Sequence, residues 1–339
     1  MTGAILTTAL GAVLPIVLLI LLGYALRCVG FFSDEFLAVG SRLVFRVCLP
    51  VMLFLSVYSV GGLAQIRWDV CLYCVAAVLV IFALGAATAL AVTKEPGRRG
   101  VLTQCSFRSN YAIVGMPLAQ ALGGEGAMAV AAVLAAVVVI VFNILAVVSL
   151  TVFGKEEGQG IRAGKIVRDI GKNPLILGVA AGLVALLVRQ WQLHRFGAVV
   201  FSLERDVPIL FQTLGNIRAI TSPLALLVLG GQFRFSAVGG LWKEIVTGTL
   251  WRTVLAPMIG LGGAAVLSRW GVLDCDAACY APLIAVFGSP VAMSSAIMAR
   301  EMKNDEQLAV QLLVWTSLVS ALTLFLTACV MMSAGLLGS

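Results

Sequence analysis

Ten nearly charge-free apolar runs divide this chain, and each is long enough for a helix to cross the hydrocarbon core of a bilayer. They fall near 5–27, 40–61, 70–92, 101–122, 126–152, 173–190, 208–233, 244–268, 280–300 and 306–334. Lipid offers the backbone no hydrogen-bond partners, so such runs must satisfy their amides internally as helices. The expected fold class is an all-α polytopic membrane protein with ten transmembrane helices. Only 12% of the 339 residues are charged, where soluble domains carry roughly 25%. With a mean hydropathy of +1.06, this leaves no segment that can bury a soluble core. The longest charge-rich stretch, 154–172, reads as a linker between 1–153 and 173–339.

The net charge of +7 is distributed among connections. Basic residues do not line a face with interleaved aromatics, so nucleic acid is not an expected partner. With the N-terminus outside, the inner connections receive Arg27, Lys94, Arg98, Arg99, Lys155, Arg162, Lys165, Arg168, Lys172, Arg234, Lys243, Arg300 and Lys303. The outer ones receive Arg67, Arg189, Arg195, Arg205, Arg218 and Arg269. Positive charge is retained in the cytoplasm, which predicts both termini outside. The first apolar run has no basic n-region and no clean small-residue cleavage site, so it reads as span one and not as a signal peptide. Trp68, Trp191, Trp242 and Trp270 fall at expected interfaces, where indole rings anchor. Segments 31–39 and 195–206, mixing charges with apolar residues, read as short interfacial helices.

The two halves repeat. Pro15 and Gly23 in span one match Pro174 and Gly182 in span six, and Pro50 in span two matches Pro223 in span seven. Gly115-Met116-Pro117-Leu118-Ala119 in span four matches Gly288-Ser289-Pro290-Val291-Ala292 in span nine at the same separation as Pro50 and Pro223. Five spans per half is an odd number, so the second half enters the membrane upside down, as an inverted repeat. Proline and glycine inside a span release backbone groups that only protein or a solvated cavity can receive. Interrupted helices at equivalent places in inverted repeats mark the substrate site of many secondary transporters. Spans four and nine are therefore expected to be proline-broken helices.

The run Phe107-Arg108-Ser109-Asn110-Tyr111-Ala112-Ile113-Val114-Gly115-Met116-Pro117-Leu118-Ala119 resembles the fourth-span motif of the auxin efflux carrier family. Further matches are Lys172-Asn173-Pro174-Leu175, Ser222-Pro223-Leu224-Ala225-Leu226 leading to Gly230, and Pro290-Val291-Ala292 before Asp305-Glu306. Together they span essentially the whole chain. The resemblance implies two inverted five-helix repeats, a scaffold part and a transport part, and a site where helices four and nine cross. It implies a small organic anion as cargo, either an auxin-like monocarboxylate or a malate- or malonate-like dicarboxylate. It also implies that Asn110 contacts the substrate carboxylate. The long central loop of plant members is absent.

Asn110 lies seven residues before Pro117, about two turns or roughly 10 Å from the expected break. Its amide donates to a carboxylate without bringing a permanent charge into the membrane. Arg108 offers a planar fork for carboxylates, and Arg252 is the other deep cation. Counted from Arg99 and Lys243, both reach roughly 13 Å inward, where snorkelling to the cytoplasmic interface competes with substrate binding. The candidate substrate-binding set is Asn110, Arg108, Gly115, Pro117, Asn143, Asn173, Ser289, Pro290 and Ser294, with Gln120, Gln311 and Ser295 as lesser candidates.

All sixteen acidic residues fall in connections or at span ends, so no mid-span carboxylate carries a proton or holds sodium. His194 is the single histidine and lies after span six. No metal, haem or other cofactor is expected. Cys71 and Cys74 read as packing residues inside a span, while Cys275 and Cys279 flank an outer loop where a disulfide is an open alternative. Gly123-Gly124-Glu125-Gly126 is a turn and not a phosphate loop, and no nucleotide-hydrolysing motif occurs. The chain reads as a carrier and not an enzyme, with a sodium-coupled anion symporter or a passive channel as alternatives. Its expected partners are a small organic carboxylate and the lipid bilayer, with a homodimer left open.

Overall fold

The computed structural model describes residues 14–15, 18–59, 67–153, 172, 174–233 and 238–337. Regular structure among them is helical apart from one isolated β-bridge. The helices are α1 (Leu18–Cys28), α2 (34–58), α3 (Trp68–Val92), α4 (Pro96–Phe107), α5 (111–123) and α6 (Gly126–Phe153). The second half contains α7 (Pro174–Phe196), the short α8 (Leu203–Asp206), α9 (Pro208–Gln232), α10 (Val238–Arg269), α11 (Ala277–Gly288), α12 (Ser294–Glu301) and α13 (Glu306–Ser333). Among the described residues seven helices are long and apolar enough to cross a membrane: those of α2, α3, α6, α7, α9, α10 and α13. The expected spans four and nine are not continuous helices. Each consists of two shorter ones, α4 with α5 and α11 with α12.

Local chemistry sets the ends. The hydroxyl of Ser33 accepts from the Phe36 amide and opens α2 with Asp34 and Glu35 in its first turn, where the helix dipole favours acids. Asp276 caps α11 and Asp305 caps α13 in the same way. Gly124, at φ 66°, turns the chain between α5 and α6 as the glycine run predicts. The segment 31–39 does not form a separate interfacial helix. Nothing between Asp34 and Leu43 breaks the helix, so it runs directly into the span. Of 195–206, only Leu203–Asp206 is a separate helix, because α7 continues to Phe196. Arg218 lies within α9 and not in an outer connection. Cys275 and Cys279 are free thiols.

Proline shapes these helices by shifting register. Pro50, Pro117 and Pro257 each follow a π turn, over Val44–Cys48, Tyr111–Gly115 and Trp251–Leu255. Proline has no amide hydrogen and its ring crowds the carbonyl one turn back. The amide before each proline, from Leu49, Met116 and Ala256, instead reaches the carbonyl five residues earlier.

Glycines allow the tightest helix crossings. A Cβ on Gly23 of α1 would collide with the Leu227 carbonyl of α9, and one on Gly230 of α9 with the Ile20 carbonyl of α1. Backbone touches backbone there, as small residues permit in membrane bundles. The helix α2 packs along α7, α4 lies against α3, and α11 packs on α5 and α6. This arrangement brings the two interruptions together in the core.

Candidate functional site

The first interruption lies at Arg108-Ser109-Asn110, between the last residue of α4 and the first of α5. Seven residues further on, Pro117 belongs to the resumed helix, so the expected break at Pro117 is corrected to Asn110. In the second half, Ser289 to Met293 separate α11 from α12, and Pro290 does lie in the interruption. The two extended segments pair. Ser109 and Val291 form an antiparallel bridge. The Asn110 amide donates to the Pro290 carbonyl at 2.7 Å, and the Ala292 amide donates to the Arg108 carbonyl at 3.2 Å. The Val291 amide donates to the hydroxyl of Thr316 on α13 at 3.2 Å. Backbone groups freed by each break are thus received by the other break and by one hydroxyl, as a buried backbone demands.

Four helix ends meet here. The C-termini of α4 and α11 arrive at the breaks, and the N-termini of α5 and α12 leave from them. A helix carries roughly half a positive charge at its N-terminus and half a negative charge at its C-terminus. The two arginines divide between these ends.

Arg252, from the middle of α10, is 0% exposed. Its guanidinium donates to the carbonyl of Ser106 near the end of α4 at 3.3 Å and to that of Val286 in α11, also at 3.3 Å. It donates to the Phe287 carbonyl as well. A unit positive charge therefore faces two negative helix ends, which together offset about one charge. The inward reach of roughly 13 Å is corrected: α10 begins at Val238, not Lys243, so Arg252 lies about 21 Å along it and does not snorkel.

Arg108 occupies the opposite electrostatic setting. It caps α4, is buried, and donates to the side-chain oxygen of Asn143 at 2.8 Å and to the hydroxyl of Ser294 at 2.8 Å. The Met298 sulfur is a further partner. Ser294 is the first residue of α12, so Arg108 points its charge at a helix end that is already positive. Among the described residues, neither Arg108 nor Arg252 has a carboxylate partner. Acidic side chains pair instead near helix starts, as where Glu244 and Asp305 both meet Arg98.

Asn110 is buried, and its side-chain nitrogen has no hydrogen-bond partner. The hydroxyls of Ser109 and Ser295 are likewise without partners. Native interiors leave few such groups, and these three lie together at the crossing. Of the other candidates, Asn143 is spent on Arg108 and on the Val139 carbonyl. Ser289 donates to the Ala285 carbonyl one turn back in α11. Gly115 holds α5 against α11, since a Cβ there would come within 3.1 Å of the Ala285 carbonyl. Pro290 contributes a carbonyl. Asn173 lies outside the described residues. Thr316 escaped the sequence reading: a hydroxyl inside a long apolar run was its only signal.

No curated protein matches the chain. A family model described as membrane transport protein matches residues 8–328, nearly its whole length. The chain belongs to that family, the membrane transport proteins that include the auxin efflux carriers.

Proposed function

We propose that the chain is a secondary carrier of small organic anions, working by alternating access with the crossing of its two interrupted helices as the binding site. The observation that carries this reading is the buried, unpartnered side-chain nitrogen of Asn110 beside Arg108, a cation without a carboxylate partner among the described residues. Arg108 and the N-termini of α5 and α12 together amount to about two positive charges. That sum favours a malate- or malonate-like dicarboxylate over a monocarboxylate. Asn110 donates to one carboxylate, and Arg108 supplies the charge that draws the substrate from water.

The reading includes ten spans in two inverted repeats, 1–153 and 173–339, joined by a cytoplasmic 154–172 linker, with both termini outside. Three contacts support the repeat. The Thr221 hydroxyl of α9 lies 3.3 Å from the carbonyl of Cys48 in α2, and these positions correspond in the two halves. Gly23 against Leu227 is mirrored by Gly182, whose Cβ would come within 3.0 Å of the Phe54 carbonyl. The bridge between Ser109 and Val291 joins one interruption to the other.

A thermal-shift series of matched mono- and dicarboxylates tests the substrate class, because a ligand that binds the folded form raises its apparent stability. Dicarboxylates are expected to give the larger shift. Uptake into proteoliposomes tests the mechanism: saturable flux stimulated by substrate on the far side marks a carrier, and unsaturable flux without that stimulation refutes one.

A further inference from the structure

We infer that the Arg252 guanidinium is a resident cation, filling the carbonyl cluster at which this fold would otherwise hold an inorganic cation. The inference rests on the crossing being the transport site. It starts from what two interrupted helices must do with their C-terminal ends. Terminal carbonyls lack intrahelical partners and carry the negative end of the dipole. In discontinuous transporter helices, such ends and the unwound carbonyls beside them coordinate sodium or protons. Here the carbonyls of Ser106, Val286 and Phe287, drawn from both C-terminal ends, all accept from one guanidinium.

Three features separate this from ordinary packing. The side chain is 0% exposed yet has no acidic partner among the described residues, so its charge is balanced by carbonyls and helix ends alone. It reaches both interrupted helices from a third, α10, so one charge ties the two halves of the crossing together. Its Nε is without a partner, so the contact is made by the terminal nitrogens. Arg252 is therefore a positioning residue: it holds the helix ends in register while Arg108 and Asn110 face the anion. A covalently tethered cation also removes the need to bind sodium at each transport cycle.

The test uses the purified full-length protein at constant ionic strength, with thermal stability read in choline, sodium or low-millimolar guanidinium chloride. Wild type should show no preference among them. Arg252→Ala should lower stability and be restored by guanidinium in a saturable manner, with choline inactive, while Arg252→Lys should retain most of the wild-type stability. Uptake of malonate by the Ala variant should fall by about tenfold or more, the factor set by one lost charge-assisted hydrogen bond. A saturable stabilisation of wild type by sodium over choline would overturn the inference. So would an Ala variant of wild-type stability, or one no cation restores alongside an equally damaged Lys variant. If the Ala variant cannot be purified, Arg252→Lys is compared with Arg252→Met: a folded Lys variant beside an unfolded Met variant supports the charge, and any other result refutes it. Because stability is read without substrate, failure of wild type to respond to dicarboxylates would refute the transport reading separately.

Discussion

Replacing Asn110 with Ala separates binding from folding, because the structure gives its side-chain nitrogen no stabilising partner. The side-chain nitrogen is buried and unpaired, so truncation removes an unsatisfied donor whose burial costs about 1–3 kcal/mol. Against that gain stands lost packing, for which a typical substitution costs about 1 kcal/mol. The backbone bond from the Asn110 amide to Pro290 survives the change. Stability of the ligand-free protein should therefore hold or rise by up to about 2 kcal/mol. Affinity behaves differently: a hydrogen bond to a charged group contributes about 1.5–3 kcal/mol, which is about 10- to 150-fold in Kd. Dicarboxylate titration of wild type and variant by scintillation proximity, beside the melting temperature of each without ligand, measures both quantities. Unchanged affinity in a folded variant would refute the placement of the site. An affinity loss that merely tracks a loss of stability would refute the claim that the amide is reserved for substrate.

Other outcomes follow from the same geometry. Pro117→Ala should restore the missing amide and relax the π turn, changing affinity by less than about threefold, a fraction of the energy of one hydrogen bond; the titration used for Asn110 checks it. Gly230→Ala forces a methyl group onto the Ile20 carbonyl and should cost about 1–3 kcal/mol by overpacking, whereas Gly239→Ala in open space on α10 should be neutral or stabilising. Paired melting curves decide between them. Reporter fusions at Ser339 and within 154–172 should place the first outside and the second in the cytoplasm, and activity of a cytoplasm-only reporter at Ser339 would reverse the orientation.

Apolar runs and flanking charges locate most helix ends to within a few residues, because lipid leaves the backbone so few options. Inside the spans, legibility depends on whether the cause is local. Proline is local, and its consequence is too: at Pro50, Pro117 and Pro257 it shifts hydrogen bonds by one residue without ending the helix. The break at Arg108-Ser109-Asn110 contains no proline and is held by partners about 180 residues away, so no window of sequence displays it. That is why the expected interruption falls seven residues late, at Pro117, while Asn110, expected about two turns short of it, sits in the interruption itself. The setting of the arginines was hidden for a related reason. Depth counted from an assumed helix start says how far a side chain lies from water, but not which helix ends it meets.

Those helix ends also account for the missing acids. A carboxylate in the core near Arg108 would pair with it and leave no positive potential for a substrate. Ser294→Asp tests this directly. Position 294 opens α12, where an acid is favoured by the dipole, and its present hydroxyl already lies 2.8 Å from the Arg108 guanidinium. An aspartate there can form the ion pair that Arg108 lacks among the described residues, and relief of the buried unpaired charge should offset the desolvation of the new one. The melting temperature of the ligand-free variant should hold or rise. Dicarboxylate binding should be lost, because the internal carboxylate occupies Arg108 and repels the incoming anion. A variant that gains stability and still binds dicarboxylate with native affinity would show that Arg108 does not supply the charge for binding, leaving Asn110 and the helix N-termini to carry it alone.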